Sequence, residues 1–253
     1  MPRAKAAAET LSESVAQYVV DYVHAHQLKS GEKVPSEVQV SSDLGISRGI
    51  VREAYQTLKT AGIIETANGR SPRVAKITDT GIVQLLEHAV RTEQAMVHHI
   101  LDLRVVIEVN AAERAARNRK SEQAAALLEH VEGMKDSLDY PSRFVTHDMA
   151  FHETIAQATG NPLLEIMVRA MRKSLAASMQ TVFRNWKHTD HDQIIRTHRR
   201  IAEAISNRDP DQARRWMKRH FDEAFLSLTG RRVSFAGKPK ARANARKNVK
   251  GKD

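Results

Sequence analysis

Asp148, His152, His198 and His220 are the residues of this chain whose types and spacing best suit shared chemistry. Asp148 and His152 are four residues apart, which on a helix puts both side chains on one face a turn apart; Val145 and Ile155 extend that face inward. His198 is in line with Ile194, Ile201 and Ile205, and His220 with Ala213, Trp216, Met217 and Ala224. The break from Asn207 to Pro210 leaves each of these two histidines eleven residues from Asp209, so an antiparallel helical hairpin would bring them level. A single histidine on an apolar stripe is ordinarily a hydrogen-bonded core residue. Three imidazoles and a carboxylate in one core would leave costly unpaired polar groups unless a cation organised them. The chain has no Cys, so a transition-metal site must be built from His, Asp and Glu. Zinc is the first choice, with nickel, manganese, cobalt and iron left open. The other histidines (24, 26, 88, 98, 99, 130, 147, 188 and 191) lack this convergence and read as surface or packing residues.

The elements that must position these groups are helices. Beyond Asp79 the apolar periodicity is helical over approximately 79–99, 100–118, 121–139, 142–158, 161–185, 190–206 and 210–229, an all-α bundle of six to seven helices. Ser121 and Asp209-Pro210 open helices, and Gly160-Asn161-Pro162 breaks one. Residues 231–253 lack such periodicity and are rich in Lys, Arg, Ala, Gly and Asn, which predicts a disordered basic tail. That tail carries +8 of the formal net charge of +10, so charge alone argues weakly for nucleic acid. With 253 residues, 41% of them hydrophobic, two ordinary domains are expected. No apolar run is long enough to span a membrane and the start has no apolar leader core, so the expectation is a cytoplasmic protein with no membrane partner.

The first domain, residues 9–78, reads as a winged helix-turn-helix. One helix runs from Leu11 to about Gln27, Ser36 caps a short second helix that ends at Gly45, and Ser47 caps a third that stops at Gly62. Ile63 to Thr66 and Arg73 to Ile77 read as short strands around an Asn68-Gly69 turn, a wing. Residues 44–78 hold six Lys/Arg against Glu53 and Glu65, so charge is polarised toward the reading half. Arg48 and Arg52 are the expected readers, each able to present a bidentate fork to guanine in the major groove. Ser36, Ser47, Gly49, Asn68, Gly69 and Arg70 complete the expected DNA contacts, with the helix start suited to a phosphate. The plainer reading of the two arginines is a solvated face, with Arg48 near Glu37 or Arg52 near Glu53.

Gly31 to Glu37 (G-x-x-V-P-S-E), Leu44 to Ala54 (L-G-I-S-R-x-x-V-R-E-A) and Leu58 to Ile64 (L-x-x-x-G-I-I) resemble the amino-terminal domain of the GntR family of bacterial repressors. That family commonly has Arg directly after P-S-E, where this chain has Val38, so operator preference is expected to differ. Arg104-x-x-x-Glu108, Asp148-x-x-x-His152 with Gly160-Asn161-Pro162, and His198 through His220 resemble the FCD ligand-binding domain of the FadR-like branch. The resemblance implies that Asp148, His152, His198 and His220 bind a divalent metal. It further implies that an organic-acid effector completes the coordination beside an arginine, by position Arg104. Against that, Arg104 could simply pair with Glu108. Asn161 is a second expected effector contact, against simple turn chemistry between Gly160 and Pro162.

The reading is a mainly α, homodimeric transcriptional regulator, a repressor by expectation. It would bind a palindromic operator in double-stranded DNA through domain 9–78 and a small carboxylate effector through domain 79–230. Two alternatives stand beside it: a metal-dependent hydrolase with a nucleic-acid-binding domain, for which Glu153 is the conceivable base, and a regulator that senses the metal itself. The sequence holds no H-E-x-x-H, nucleophile elbow or phosphate loop to favour the enzyme.

Overall fold

The computed structural model describes residues 10–66, 70–93, 95–184 and 188–229. The elements run α1 (Leu11–Ala25), α2 (Glu37–Leu44), α3 (Arg48–Thr60), β1 (Ile64–Glu65), β2 (Arg73–Val74), α4 (Thr80–Thr92), α5 (Met96–Asn118), α6 (Ser121–Lys135), α7 (Pro141–Ala158), α8 (Pro162–Arg184), α9 (His188–Ser206) and α10 (Pro210–Thr229). The chain divides into two compact units, the division falling between Gln84 and Leu85 inside α4. The expected tail at 231–253 and the Asn68-Gly69 turn lie outside the described residues.

In the first unit each helix starts on a short polar residue. Thr10 Oγ1 accepts the Glu13 amide at 3.2 Å while the Glu13 carboxylate takes the Thr10 amide at 2.8 Å, a reciprocal cap for α1. Ser36 Oγ accepts the Gln39 amide at 3.2 Å and caps α2. Gly45, at φ 65°, makes the left-handed turn between α2 and α3, where a side chain would cost roughly 1–2 kcal/mol. Val15, Val19, Val40, Val51, Ala54 and Leu58 close the core between the three helices. The buried Tyr55 hydroxyl donates to the Pro35 carbonyl at 2.5 Å and fastens α3 to the entry of α2.

The wing's two strands have a further paired segment beside them. β1 and β2 pair antiparallel, Ile64 opposite Val74 and Glu65 opposite Arg73. Lys33 bridges to Arg73 on the other edge, supported by Gly31 N–H to Val74 O (2.8 Å), Val74 N–H to Glu32 O (2.9 Å) and Val34 N–H to Pro72 O (3.0 Å). The segment that reads as a plain break after α1 is therefore the wing's third member. Arg73 donates through Nη1 to the Gly31 carbonyl, which ties it to the fold. β2 is also shorter than the run Arg73 to Ile77, ending at Val74.

The second unit is a helical bundle in which α5 packs against α7, α8, α9 and α10, and α6 against α7 and α9. The break expected near 99–100 lies instead between Thr92 and Met96; Thr92 Oγ1 there donates to the His88 carbonyl at 2.6 Å. No Gly or Pro marks that break. α9 and α10 form a tight hairpin: the Asp209 carboxylate accepts the Gln212 amide at 2.9 Å and caps α10. At the same end Arg119 donates to the Ile205 and Ser206 carbonyls, and Arg208 to the Arg117 and Arg119 carbonyls. Two guanidiniums thus satisfy the last carbonyls of α5 and α9, the helix ends that favour cations. Gly133 on α6 lets α7 come close, since a Cβ there would sit 2.4 Å from the His147 ring.

Candidate metal centre and nucleic-acid interface

Five helices of the second unit each send a polar side chain into one buried cluster. Arg104 and Glu108 come from α5, Asp148 and His152 from α7, Arg172 from α8, His198 from α9 and His220 from α10. All seven are buried, none more than 6% exposed. The His198 and His220 ring centroids are 4.6 Å apart, those of His152 and His220 4.9 Å, and those of His152 and His198 5.6 Å. One ligand nitrogen from each of the three rings lies within 4.8 Å of the others. Phe151 meets the His152 and His198 rings edge-on, with centroids 5.3 and 5.0 Å away, and walls one side.

The imidazole nitrogens face acceptors on both sides. His198 Nδ1 donates to the Ile194 carbonyl at 2.8 Å, which puts the ring proton of a neutral imidazole there; its Nε2 is 3.0 Å from Asp148 Oδ1. A neutral ring would then set a lone pair against a carboxylate oxygen. His152 repeats the arrangement, with Nδ1 2.6 Å from Glu108 Oε2 and Nε2 3.8 Å from Asp148 Oδ1. Neither of its nitrogens has the alignment of a hydrogen bond, and the buried His220 Nδ1 also has no such bond. Each unsatisfied buried group costs about 1–3 kcal/mol. Burial, helped by the Arg172 charge, pushes His152 down to about 4. Burial likewise holds His220 well below its ordinary value, with His198 and His152 adding to the effect.

Around the rings runs a balanced ionic network. Arg172 donates from Nη1 to Asp148 Oδ2 at 2.5 Å and from Nη2 and Nε to Glu108 Oε2 at 3.2 and 3.4 Å. Arg104 Nε donates to Glu108 Oε1 at 2.7 Å, and its guanidinium carbon lies 5.3 Å from the centre of the Phe221 ring. Burial alone would raise both carboxylates. The Arg172 guanidinium holds Asp148 well below its usual range, and Arg104 with Arg172 does the same for Glu108. Ionised carboxylates and neutral imidazoles are the forms in which these groups bind metal. The residues therefore fit a divalent ion: His152, His198 and His220 would hold it, with Asp148 Oδ1 beside two of the three.

Arg104 reaches this cluster. Asn161 does not do so through any described contact: its Oδ1 accepts the Leu163 amide at 3.0 Å and its own amide donates to Thr159 Oγ1 at 3.1 Å, the bonds of a helix start. A residue between Gly160 at φ 72° and Pro162 is placed to cap α8, which is the turn chemistry weighed against an effector contact at Asn161. Arg172 escapes a sequence search, although Val168, Met171 and Leu175 around it are all buried and mark it as inward-facing. Glu108 is visible only as the partner of Arg104. Glu153 pairs with Arg169 at 3.3 Å and is not part of the cluster.

In the first unit Ser47 stands at the N-cap of α3 and its side chain makes no capping bond. Arg48, Gly49 and Arg52 follow, all exposed, and no atom occupies the space that a Cβ on Gly49 would take. The side chain of Arg52 is 68% exposed and its Nε lies 3.6 Å from Glu37 Oε2, a partner on α2 and not the neighbouring Glu53. Ser36 is half-buried by its capping role, and Arg70 is exposed at the wing. Asn68 and Gly69 lie outside the described residues.

Comparison with known proteins agrees with this division of labour. Residues 11–74 match the family of bacterial regulatory proteins called the gntR family, and residues 99–223 match the FCD domain. The chain is 29% identical over 219 residues to the HTH-type transcriptional repressor NanR of Salmonella newport, covering 85% of this chain and 84% of that protein. The NanR of Salmonella typhimurium is equally similar, at 29% over 219 residues, 85% of this chain and 83% of the relative. Among solved structures, a GntR protein of Streptococcus agalactiae superposes with a TM-score of 0.65 at 22% identity, over 86% of this chain and 100% of that one; it shares the fold. With a gntR-type DNA-binding domain ahead of an FCD domain, the chain belongs to the GntR family of transcriptional regulators.

Proposed function

We propose that this chain is a cytoplasmic transcriptional repressor that binds a palindromic operator in double-stranded DNA as a homodimer and releases it when a small carboxylate binds the second unit. Ser47, Arg48, Gly49, Arg52 and the wing residues Asn68, Gly69 and Arg70 form the DNA-reading set, with residues 9–78 as the reading domain and 79–230 as the sensing domain. The repressor function named for the NanR relatives supports the sign of regulation. Among the described residues no helix is long and apolar enough to cross a membrane.

One observation carries the sensor: three buried imidazoles each bring a ring nitrogen within 4.8 Å of the others beside Asp148, and neither His152 nor Nδ1 of His220 makes a hydrogen bond there. A cation held among these nitrogens and the Asp148 carboxylate would give His152 and His220 the partner that no described hydrogen bond supplies. Asp148, His152, His198 and His220 would hold a divalent ion, zinc before nickel, manganese, cobalt or iron, and when bound it would supply positive charge and open positions for a carboxylate. Arg172 has carboxylate partners on Nε, Nη1 and Nη2. Arg104 is held through Nε alone among the described hydrogen bonds, which leaves its terminal nitrogens as the natural donors to an incoming acid. Glu108 fixes Arg104 and lies against His152, so a ligand on Arg104 would perturb the ring next to it. The ligand must bind two arrangements of the dimer unequally, since equal affinity would shift nothing.

Operator binding measured on wild type, His198→Ala and His220→Ala, with bound metal determined on the same samples, tests the proposal. Loss of both metal and ligand response in the variants is the expected result. Unchanged metal content and response would reduce the cluster to core packing, and response to metal with no acid present would make the ion itself the signal.

A further inference from the structure

Val38, the second residue of α2, is 56% exposed. It adds nothing to the core, which Val40 closes two residues further on. Nor does it stand in open solvent: with Gln56 and Lys59 of α3 and Arg70 of the wing it lines a groove. Its neighbour Glu37 reaches Arg52, so the first turn of α2 borders the face of α3 on which Arg48, Arg52, Gln56 and Lys59 are exposed.

Packing and helix propensity give no reason for a valine here, since β-branched residues are poorer helix formers than alanine or the long polar residues. A valine has neither donor nor acceptor, so it cannot hold a phosphate or hydrogen-bond a base edge. The apolar group that the major groove offers is the C5-methyl of thymine. We propose that Val38 is a specificity-determining residue that reads one thymine in each half-site through that methyl, beside the base edges read by Arg48 and Arg52. The inference rests on the DNA-reading role given to α3 above.

Deoxyuridine differs from thymidine by that methyl alone, so it is the direct probe. An operator is first selected from random duplex DNA with the full-length protein, and each thymine of the selected half-site is then replaced in turn by deoxyuridine. At one symmetry-related thymine the replacement should weaken binding about fourfold per half-site, the transfer free energy of one buried methyl-sized group expressed as a ratio. In Val38→Ser the same replacement should have no effect, while the salt dependence of binding stays as in wild type because no phosphate contact has changed. Thermal melting of the variant checks that the exposed substitution leaves the fold intact. If no thymine is sensitive, or the sensitivity persists in Val38→Ser, or Val38→Ser weakens every sequence equally, the valine is a bystander and the inference is wrong. If no sequence is enriched at all, the failure belongs to the DNA-reading proposal itself.

Discussion

Replacing Arg172 with methionine keeps the length and apolar stem of the side chain and deletes the guanidinium that joins α5 to α7 through α8. In the wild type that group is 4% exposed and serves Asp148 and Glu108, themselves 6% and 1% exposed. Breaking a buried ion pair by removing one partner costs roughly 3–5 kcal/mol, because the other charge remains desolvated. For a unit of this size about 2–4 °C of Tm accompanies each kcal/mol, so Arg172→Met should melt roughly 6–20 °C lower. Adding Glu108→Gln restores the balance, one cation (Arg104) against one anion (Asp148). The double variant should therefore be more stable than the sum of the single losses by about 1–3 kcal/mol. Trp186 and Trp216, the two tryptophans of the chain, both follow Leu85 in sequence, so tryptophan fluorescence during thermal and urea unfolding of the full chain reports on the second unit. A loss under about 1 kcal/mol in Arg172→Met, or simple additivity with Glu108→Gln, would refute the idea that this network organises the cluster.

Three further outcomes are expected. Glu108→Gln, which weakens the carboxylate beside His152 Nδ1, should lower divalent-metal affinity about 10–100-fold in a competition titration with a chelating dye; unchanged affinity would make Glu108 a partner of the arginines alone. Arg48→Ala should cost about 1–3 kcal/mol on the selected operator and relax the preference at its base, whereas trimming residues 231–253 should lower affinity for unrelated DNA and flatten its salt slope. Equal losses on specific and unrelated DNA from both changes would contradict that assignment. Tyr55→Phe removes the bond to the Pro35 carbonyl and leaves a buried acceptor, so the first unit should lose about 1–3 kcal/mol, measured as faster amide exchange in α2 and α3; no change in exchange would show that the contact contributes nothing.

What the sequence made legible depended on how each feature is encoded. The helix-turn-helix could be read because Gly45 and Gly62 stop helices whose apolar spacing is regular, and the His198–His220 pairing because a short loop fixes the register of a hairpin. The segment that pairs beside the wing was hidden, since a single Lys33–Arg73 bridge leaves no alternation to detect. The α4–α5 boundary was hidden for a similar reason: residues 93–95 carry no Gly or Pro to mark it. Arg172 is the telling omission. An arginine on a helix that also carries Glu165, Arg169 and Lys173 reads as a stem with its head in water, and only the arrival of Glu108 and Asp148 from two other helices shows why this one is buried. Asn161 is the opposite case, a polar residue beside a promising motif whose described bonds are local.

Elemental analysis of the protein purified without chelator or affinity metal decides whether the histidine cluster is a metal site. About one divalent ion per chain, retained through dialysis and absent from His220→Ala, is the result that three converging imidazoles and Asp148 require. A wild-type protein that holds no metal yet still leaves its operator when the acid is added would show that sensing does not run through a metal held by this cluster.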